Sequence, residues 1–260
     1  MWHAVADARA LHDADLFVAE GRRVVAQVVG DQRYEVVSVL STPAAAEALR
    51  LEDRCRHVLE LRSPAEMQSL TGFNFHRGVL ALVRRPARRS LPDLLTGADT
   101  PRLAVLCEHI VDPDNVGSIF RNARGFGAGP ILLDDRCADP LYRKALRTST
   151  GAVLDVPWAV AAAQVLHHTL KAHGYRRVAL TPAAEAPSLH EVAGATAGAR
   201  LALVVGSEGS GLEPQTVAGC DLTARIPMAA SADSLNVAAT VAVALYAFGT
   251  ANGAALRPGG

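Results

Sequence analysis

No uninterrupted apolar run in this 260-residue chain reaches the roughly 18 residues that a membrane-spanning helix requires. The N-terminal stretch carries charges at Asp7, Arg9, Asp13 and Asp15 where a secretory leader would be apolar. Both absences predict a soluble, cytoplasmic protein. Cysteine is scarce. Cys55, Cys107, Cys137 and Cys220 are scattered, without the close pairs that mark zinc or dithiol redox sites, and are expected to be reduced, packed thiols. Charge of one sign is not in excess either: 26 Lys and Arg balance 26 Asp and Glu. A polyanionic partner must therefore be held by a local basic patch, not by an overall field. No internal repeat and no His/Cys/Asp grouping suited to a metal is evident, and no metal is expected.

What is present is ample material for a core, with half of the residues hydrophobic. The length suits one large or two modest domains. Between Pro86 and Pro101 the apolar periodicity is interrupted by Arg88, Arg89, Pro92 and Gly97, as expected of a linker. The expected organisation is a small α/β domain over residues 1–86, a linker over 87–101, a second domain over 102–250 and a loose tail over 251–260.

In the first domain, Val36 to Leu40, Val58 to Leu61 and Val79 to Val83 read as strands, separated by helices at Pro43 to Leu49 and Pro64 to Leu70. In the second, short apolar runs at Leu103 to Cys107, Ile131 to Leu133, Val178 to Leu180, Leu201 to Val205 and Ala224 to Ile226 read as strands. Helical patterns at Val116 to Phe126, Val160 to His173 and Leu235 to Phe248 lie among them. That alternation predicts a parallel sheet covered on both faces, in which ligands gather at the carboxyl ends of the strands.

Three segments begin where such strands end: Asn115-Val-Gly-Ser-Ile-Phe-Arg121-Asn-Ala123; Val205-Gly206-Ser-Glu208-Gly-Ser-Gly211-Leu212; and Ile226-Pro-Met228 followed by Ser234-Leu-Asn236-Val237. In the first, Asp114 or Asn115 is a candidate N-cap, Ile119, Ala123 and Phe126 supply an apolar face, and Gly127 can end the helix. Arg121 then stands as either a solvated helix charge or a planar fork of donors for phosphate. In the second, Gly206, Gly209 and Gly211 permit tight turns and close approach of a ligand, with Pro214 at the first turn of the next helix. The glycine spacing does not fit a dinucleotide-binding GxGxxG turn. Glu208 places a carboxylate just past an apolar strand, suited to orienting Arg121 or holding backbone donors. In the third, Ser231, Asp233 or Ser234 is available to cap an alanine-rich helix.

In order and spacing these segments resemble the three motifs of the SpoU/TrmH branch of the SPOUT methyltransferases, enzymes that methylate ribose 2′-hydroxyls of RNA using S-adenosylmethionine. The resemblance covers most of residues 15 to 249. It implies that Arg121 is the principal catalytic residue, acting as base or by stabilising an incipient alkoxide. It implies too that Asn115 positions Arg121, that Glu208 is an organiser, and that Ser234 and Asn236 face the reacting groups. Gly206, Ile226, Met228 and Leu235 would hold the cofactor. Ala238 stands where many relatives have serine. The family further implies a trefoil knot in the catalytic domain and a homodimer.

Phe17-Val-Ala-Glu20-Gly21-Arg-Arg23-Val and His76-Arg77-Gly78-Val79 resemble the two ends of a ribosomal-protein-like accessory domain of such enzymes. Arg22, Arg23, Arg77, Arg84 and Arg85 are its candidate RNA contacts. The accessory domain points to large-subunit ribosomal RNA. Transfer RNA is the nearest alternative, and a non-catalytic RNA-binding or ribosome-assembly protein is a further one.

Overall fold

The computed structural model describes residues 2, 5, 7–72, 77–97, 100–229 and 234–251. His76, Ser231, Asp233 and the expected tail beyond Ala251 lie outside the described residues. The chain divides into two compact units. Residues 1–87 form the first together with Asp139–Gly151, and residues 88–138 and 152–260 form the second. Among the described residues no helix is long and apolar enough to cross a membrane.

The first unit is built on a mixed four-stranded sheet of β1 (Leu16–Glu20), β2 (Val36–Ser41), β3 (Leu59–Leu61) and β4 (Val79–Arg84), in the order β1-β4-β2-β3. Strand β4 pairs antiparallel with both β1 and β2, and β2 pairs parallel with β3. All three expected strands are present. The helix Pro43–Leu49 is capped by Thr42, and Pro64–Thr71 opens with a capping box from Ser63 and Glu66. Strand β1, expected only as part of a motif, pairs with β4 so that Leu16 faces Arg84 and Glu20 faces Leu80. Val18, Leu40, Leu80 and Leu82 close with Met67 into the apolar core of this unit.

The second unit is an all-parallel six-stranded sheet: β5 (Leu103–Cys107), β6 (Ile131–Leu133), β7 (Trp158–Val160), β8 (Arg176–Leu180), β9 (Leu201–Val205) and β10 (Leu222–Ala224), in the order β10-β8-β9-β5-β6-β7. Side chains alternate along each strand. Ala104, Leu106, Ala202 and Val204 meet Leu94, Leu166 and Leu170 on one face. Val105, Leu203 and Val205 point to the other, where helix Val237–Ala251 packs on the sheet and against helix Pro113–Phe126.

Several expectations are corrected. The linker contains a helix, Leu91–Thr96, capped by Ser90, and it inserts Leu94 and Leu95 into the core. The expected helix Val160 to His173 is a short strand followed by helix Ala163–Ala172. The last strand ends at Ala224, before Ile226. Helix Pro113–Phe126 is capped by Asp112, whose carboxylate accepts from the amide of Asp114, so neither Asp114 nor Asn115 is the cap. Gly127 ends that helix at φ +63°, as expected.

The four cysteines are unpaired. Burial pushes the thiol pKa up at Cys55, Cys107, Cys137 and Cys220, the last to about 11, so these thiols stay protonated and inert at neutral pH.

Candidate active site

The three motif segments converge at the carboxyl end of the parallel sheet, because β5 and β9 are neighbours and Cys107 is in register with Val205. The chain leaves β9 through Gly206. An added Cβ there would collide with the backbone of Gly211 and Leu212, so the loop closes on itself only over a glycine. The loop is pinned by the Gly211 amide donating to the Ser207 carbonyl at 2.9 Å, and Gly211 adopts φ +67°. Gly209 has open space around it and no positive φ, so neither close packing nor left-handed backbone demands glycine there.

One hydrogen-bonded network ties the three motifs together. The backbone amides of Ala238 and Ala239 donate to Oδ1 of Asn236 at 2.9 and 3.2 Å, making Asn236 the cap of helix Val237–Ala251. A backbone N–H requires an oxygen acceptor, so this cap dictates which way the Asn236 amide faces. Its Nδ2 must point away from the helix, and it donates to Oδ1 of Asn115 at 2.9 Å and to Oε1 of Glu208 at 3.2 Å. With its oxygen thus occupied, Asn115 turns its own Nδ2 to Oε1 of Glu208. Asn115 is buried, and this pairing satisfies its polar atoms. Glu208 therefore organises two side-chain amides; among the described residues none of its hydrogen bonds goes to Arg121 or to backbone donors. The capping expected of Ser231, Asp233 or Ser234 falls to Asn236.

Arg121 lies on the exposed side of helix Pro113–Phe126 and forms no hydrogen bond or ion pair among the described residues. The next residue, Asn122, donates to the Ala238 carbonyl at 2.8 Å and links the two motif helices.

Beside the network is a cavity of about 500 Å³, of the size that takes a small organic cofactor. Gly206, Ile226, Met228 and Leu235 all line it, as do Glu208 and Ser234. Sequence reasoning missed Leu180, Thr181 and Pro182, which border the cavity where β8 ends. The rule that ligands sit at strand carboxyl ends would have found them. It missed Glu108 too, a buried carboxylate at the end of β5 that meets Nε2 of His167 at 2.7 Å and accepts from Thr216 at 3.0 Å.

In the first unit the five candidate arginines do not gather. Arg22 and Arg23 follow β1 and Arg77 precedes β4 at the same end of the sheet, because the Gly21 amide bonds the Val79 carbonyl. Buried Glu20 lies there, 4.0 Å from Arg77 and 3.2 Å from Nη1 of Arg143. Arg84 and Arg85 are at the opposite end. Arg84 pairs with Glu35 at 3.1 Å, and Arg85 is held by both oxygens of Asp139 at 2.7 and 2.8 Å. Arg85 is thus committed to a structural pair. No sequence signal marks Arg143, which arrives from more than a hundred residues away.

Residues 102–246 match the family model described as the SpoU rRNA Methylase family. The chain belongs to the SpoU methylase family. It is 39% identical over 233 residues, 89% of this chain and 80% of the relative, to an uncharacterised tRNA/rRNA methyltransferase of Mycobacterium tuberculosis. Among solved structures it resembles the SpoU methyltransferase AviRb of Streptomyces viridochromogenes, with a TM-score of 0.83 at 24% identity over 97% of this chain and 96% of that one. An AdoMet-bound rRNA methyltransferase of Sinorhizobium meliloti gives 0.80 at 23% identity, over 98% and 94%. This SpoU chain therefore shares its fold with those proteins along nearly its whole length.

Proposed function

We propose that this protein transfers the methyl group of S-adenosylmethionine to a ribose 2′-hydroxyl of RNA, with large-subunit ribosomal RNA as substrate. The observation that carries the reading is the Asn115–Glu208–Asn236 network, which joins all three motif segments beside a cavity of cofactor size. The cavity fits the cofactor chemically. Leu180, Ile226 and Leu235 offer apolar contact for a heteroaromatic ring, and the close-packed turn at Gly206 brings backbone to the wall.

In this reading Gly206, Ile226, Met228 and Leu235 hold the cofactor, which supplies a methyl group already activated on sulfonium. What is left to the protein is positioning and charge. Arg121 offers planar donors to the 2′-oxygen as negative charge develops there. Asn115, Glu208 and Asn236 fix the start of both motif helices, and so the place of Arg121. Ser234, at the cavity wall, faces the reacting groups.

The first unit would bind RNA through Arg22, Arg23 and Arg77, whose side chains are exposed at one end of its sheet. That accessory unit favours ribosomal over transfer RNA. A homodimer fits helix Val237–Ala251, which carries no charged residue yet leaves Val243 41% and Tyr246 56% exposed. A helix apolar all round belongs in an interior. The trefoil knot of the family and a cytosolic location complete the proposal. Mapping 2′-O-methylation in RNA from cells with and without the protein tests it, the expected result being loss of one ribosomal site.

A further inference from the structure

The cofactor cavity lies where β10, β8 and β9 end. Strand β5 is the next neighbour of β9, with Cys107 in register with Val205, so the chain leaving β5 starts beside the Gly206 turn. The loop there, Glu108–Asp112, is unusually well held. The Glu108 amide donates to the Val205 carbonyl at 2.9 Å, the His109 amide to Oδ1 of buried Asp134 at 3.0 Å, and the Ile110 amide to Sγ of Cys137 at 3.3 Å. Asp112 then caps the helix that carries Asn115 and Arg121.

Within this clamp His109 sits at φ +58°, a left-handed conformation uncommon for a residue with a side chain. Its side chain is exposed and makes no hydrogen bond or ring contact among the described residues, and Val111 beside it is 60% exposed. Rings are few in this chain, 5% Phe, Trp and Tyr. Those of the second unit are mostly committed: Phe120, Phe248 and Tyr175 are buried, Phe126 meets Tyr246 edge-on, and His167 bonds Glu108. The His109 ring is uncommitted among the described residues and shortly precedes Asp112, the cap of the first motif helix.

We propose that His109, with exposed Val111 close by in the same loop, forms a rigid ledge on which the base of the target nucleotide stacks, setting its ribose over the network. RNA is read chiefly through unstacked bases laid on aromatic or histidine rings, and a ledge held in place before binding costs little to order. The inference rests on the functional reading above.

The test is steady-state methyl transfer to ribosomal RNA from cells lacking the protein, with calorimetry of S-adenosylmethionine in parallel. His109→Asn tolerates the left-handed backbone and removes the ring. It is expected to raise KM for RNA roughly tenfold, the scale of one lost stacking contact, while leaving cofactor affinity within twofold. His109→Phe should restore KM to near the wild-type value. An unchanged KM in His109→Asn, or a parallel loss of cofactor affinity, overturns the ledge. Wild-type enzyme that binds cofactor but methylates none of these RNAs fails differently, by removing the functional reading itself.

Discussion

The side-chain amide of Asn236 joins the starts of two helices: its oxygen caps Val237–Ala251, and its nitrogen donates to Oδ1 of Asn115, 2.9 Å away, on helix Pro113–Phe126. The two functions of one amide can be separated. Asn236→Ala loses both, with about 1 kcal/mol of stability expected from the cap. Asn236→Asp keeps a capping oxygen but sets a second carboxylate against Glu208 and removes the donors. Thermal melts should show both variants destabilised, Ala by loss of the cap and Asp by the repulsion from Glu208 despite a capping oxygen, while single-turnover methyl transfer falls in both. Full activity in Asn236→Asp would mean that the network does not position the site.

The glycine loop makes a sharper contrast. Gly206→Ala forces the loop backbone at Gly211 and Leu212 to move, so cofactor affinity should fall at least tenfold through displacement of the cavity wall itself. Gly209→Ala meets no atom within 4 Å and should bind within a fewfold of wild type. Calorimetry of both variants decides.

The interior of the parallel sheet was legible in the sequence because β5, β6 and β9 are short continuous apolar runs bounded by charged residues, proline or glycine. The edges were less so. Trp158–Val160 is three residues long, has no measurable period, and merged with the helix that follows. The helix in the linker carried its signals, a capping Ser90 before Pro92, but those residues read equally as interruption. Convergence of the motifs was legible from strand ends. The partners of Glu208 were not, since a carboxylate past a strand is equally able to bond a guanidinium or two amides. Attachment of Asp139–Gly151 to the first unit rests on distant pairs such as Arg143 with Glu20, which leave no local trace.

The split of the arginines predicts two kinds of variant. Replacing Arg22, Arg23 or Arg77 by Ala should weaken RNA binding and flatten its salt dependence, each lost phosphate contact lowering the log–log slope by roughly 0.7 to 0.9. Arg85→Ala should leave that slope alone and lower the melting temperature, because it strips Asp139 of a two-bonded partner. Binding titrations across salt concentrations, with melts, distinguish the two.

Asp221 predicts a pH dependence. Burial pushes its carboxyl pKa up, but hydrogen bonds from the Arg177 side chain and backbone outweigh this and hold it below the ordinary 3.8. A depressed carboxylate stabilises the fold above that ordinary value, and the contribution is lost as pH falls through the lower folded value. The melting-temperature difference between wild type and Asp221→Asn should therefore be constant near neutrality and shrink below about pH 4. A difference that persists undiminished at lower pH would assign the effect to packing.

The central claim is methyl transfer to a ribose oxygen promoted by Arg121. The most direct measurement is single-turnover reaction of methyl-labelled S-adenosylmethionine with ribosomal RNA from cells lacking the protein, followed by alkaline hydrolysis, which cannot cleave beside a 2′-O-methylated ribose. Wild type should leave the label in alkali-resistant dinucleotides, and Arg121→Ala should slow its appearance by roughly 10²–10³, the usual cost of removing a donor to a developing oxyanion. Label released in mononucleotides, or Arg121→Ala reacting at the wild-type rate, would contradict the account.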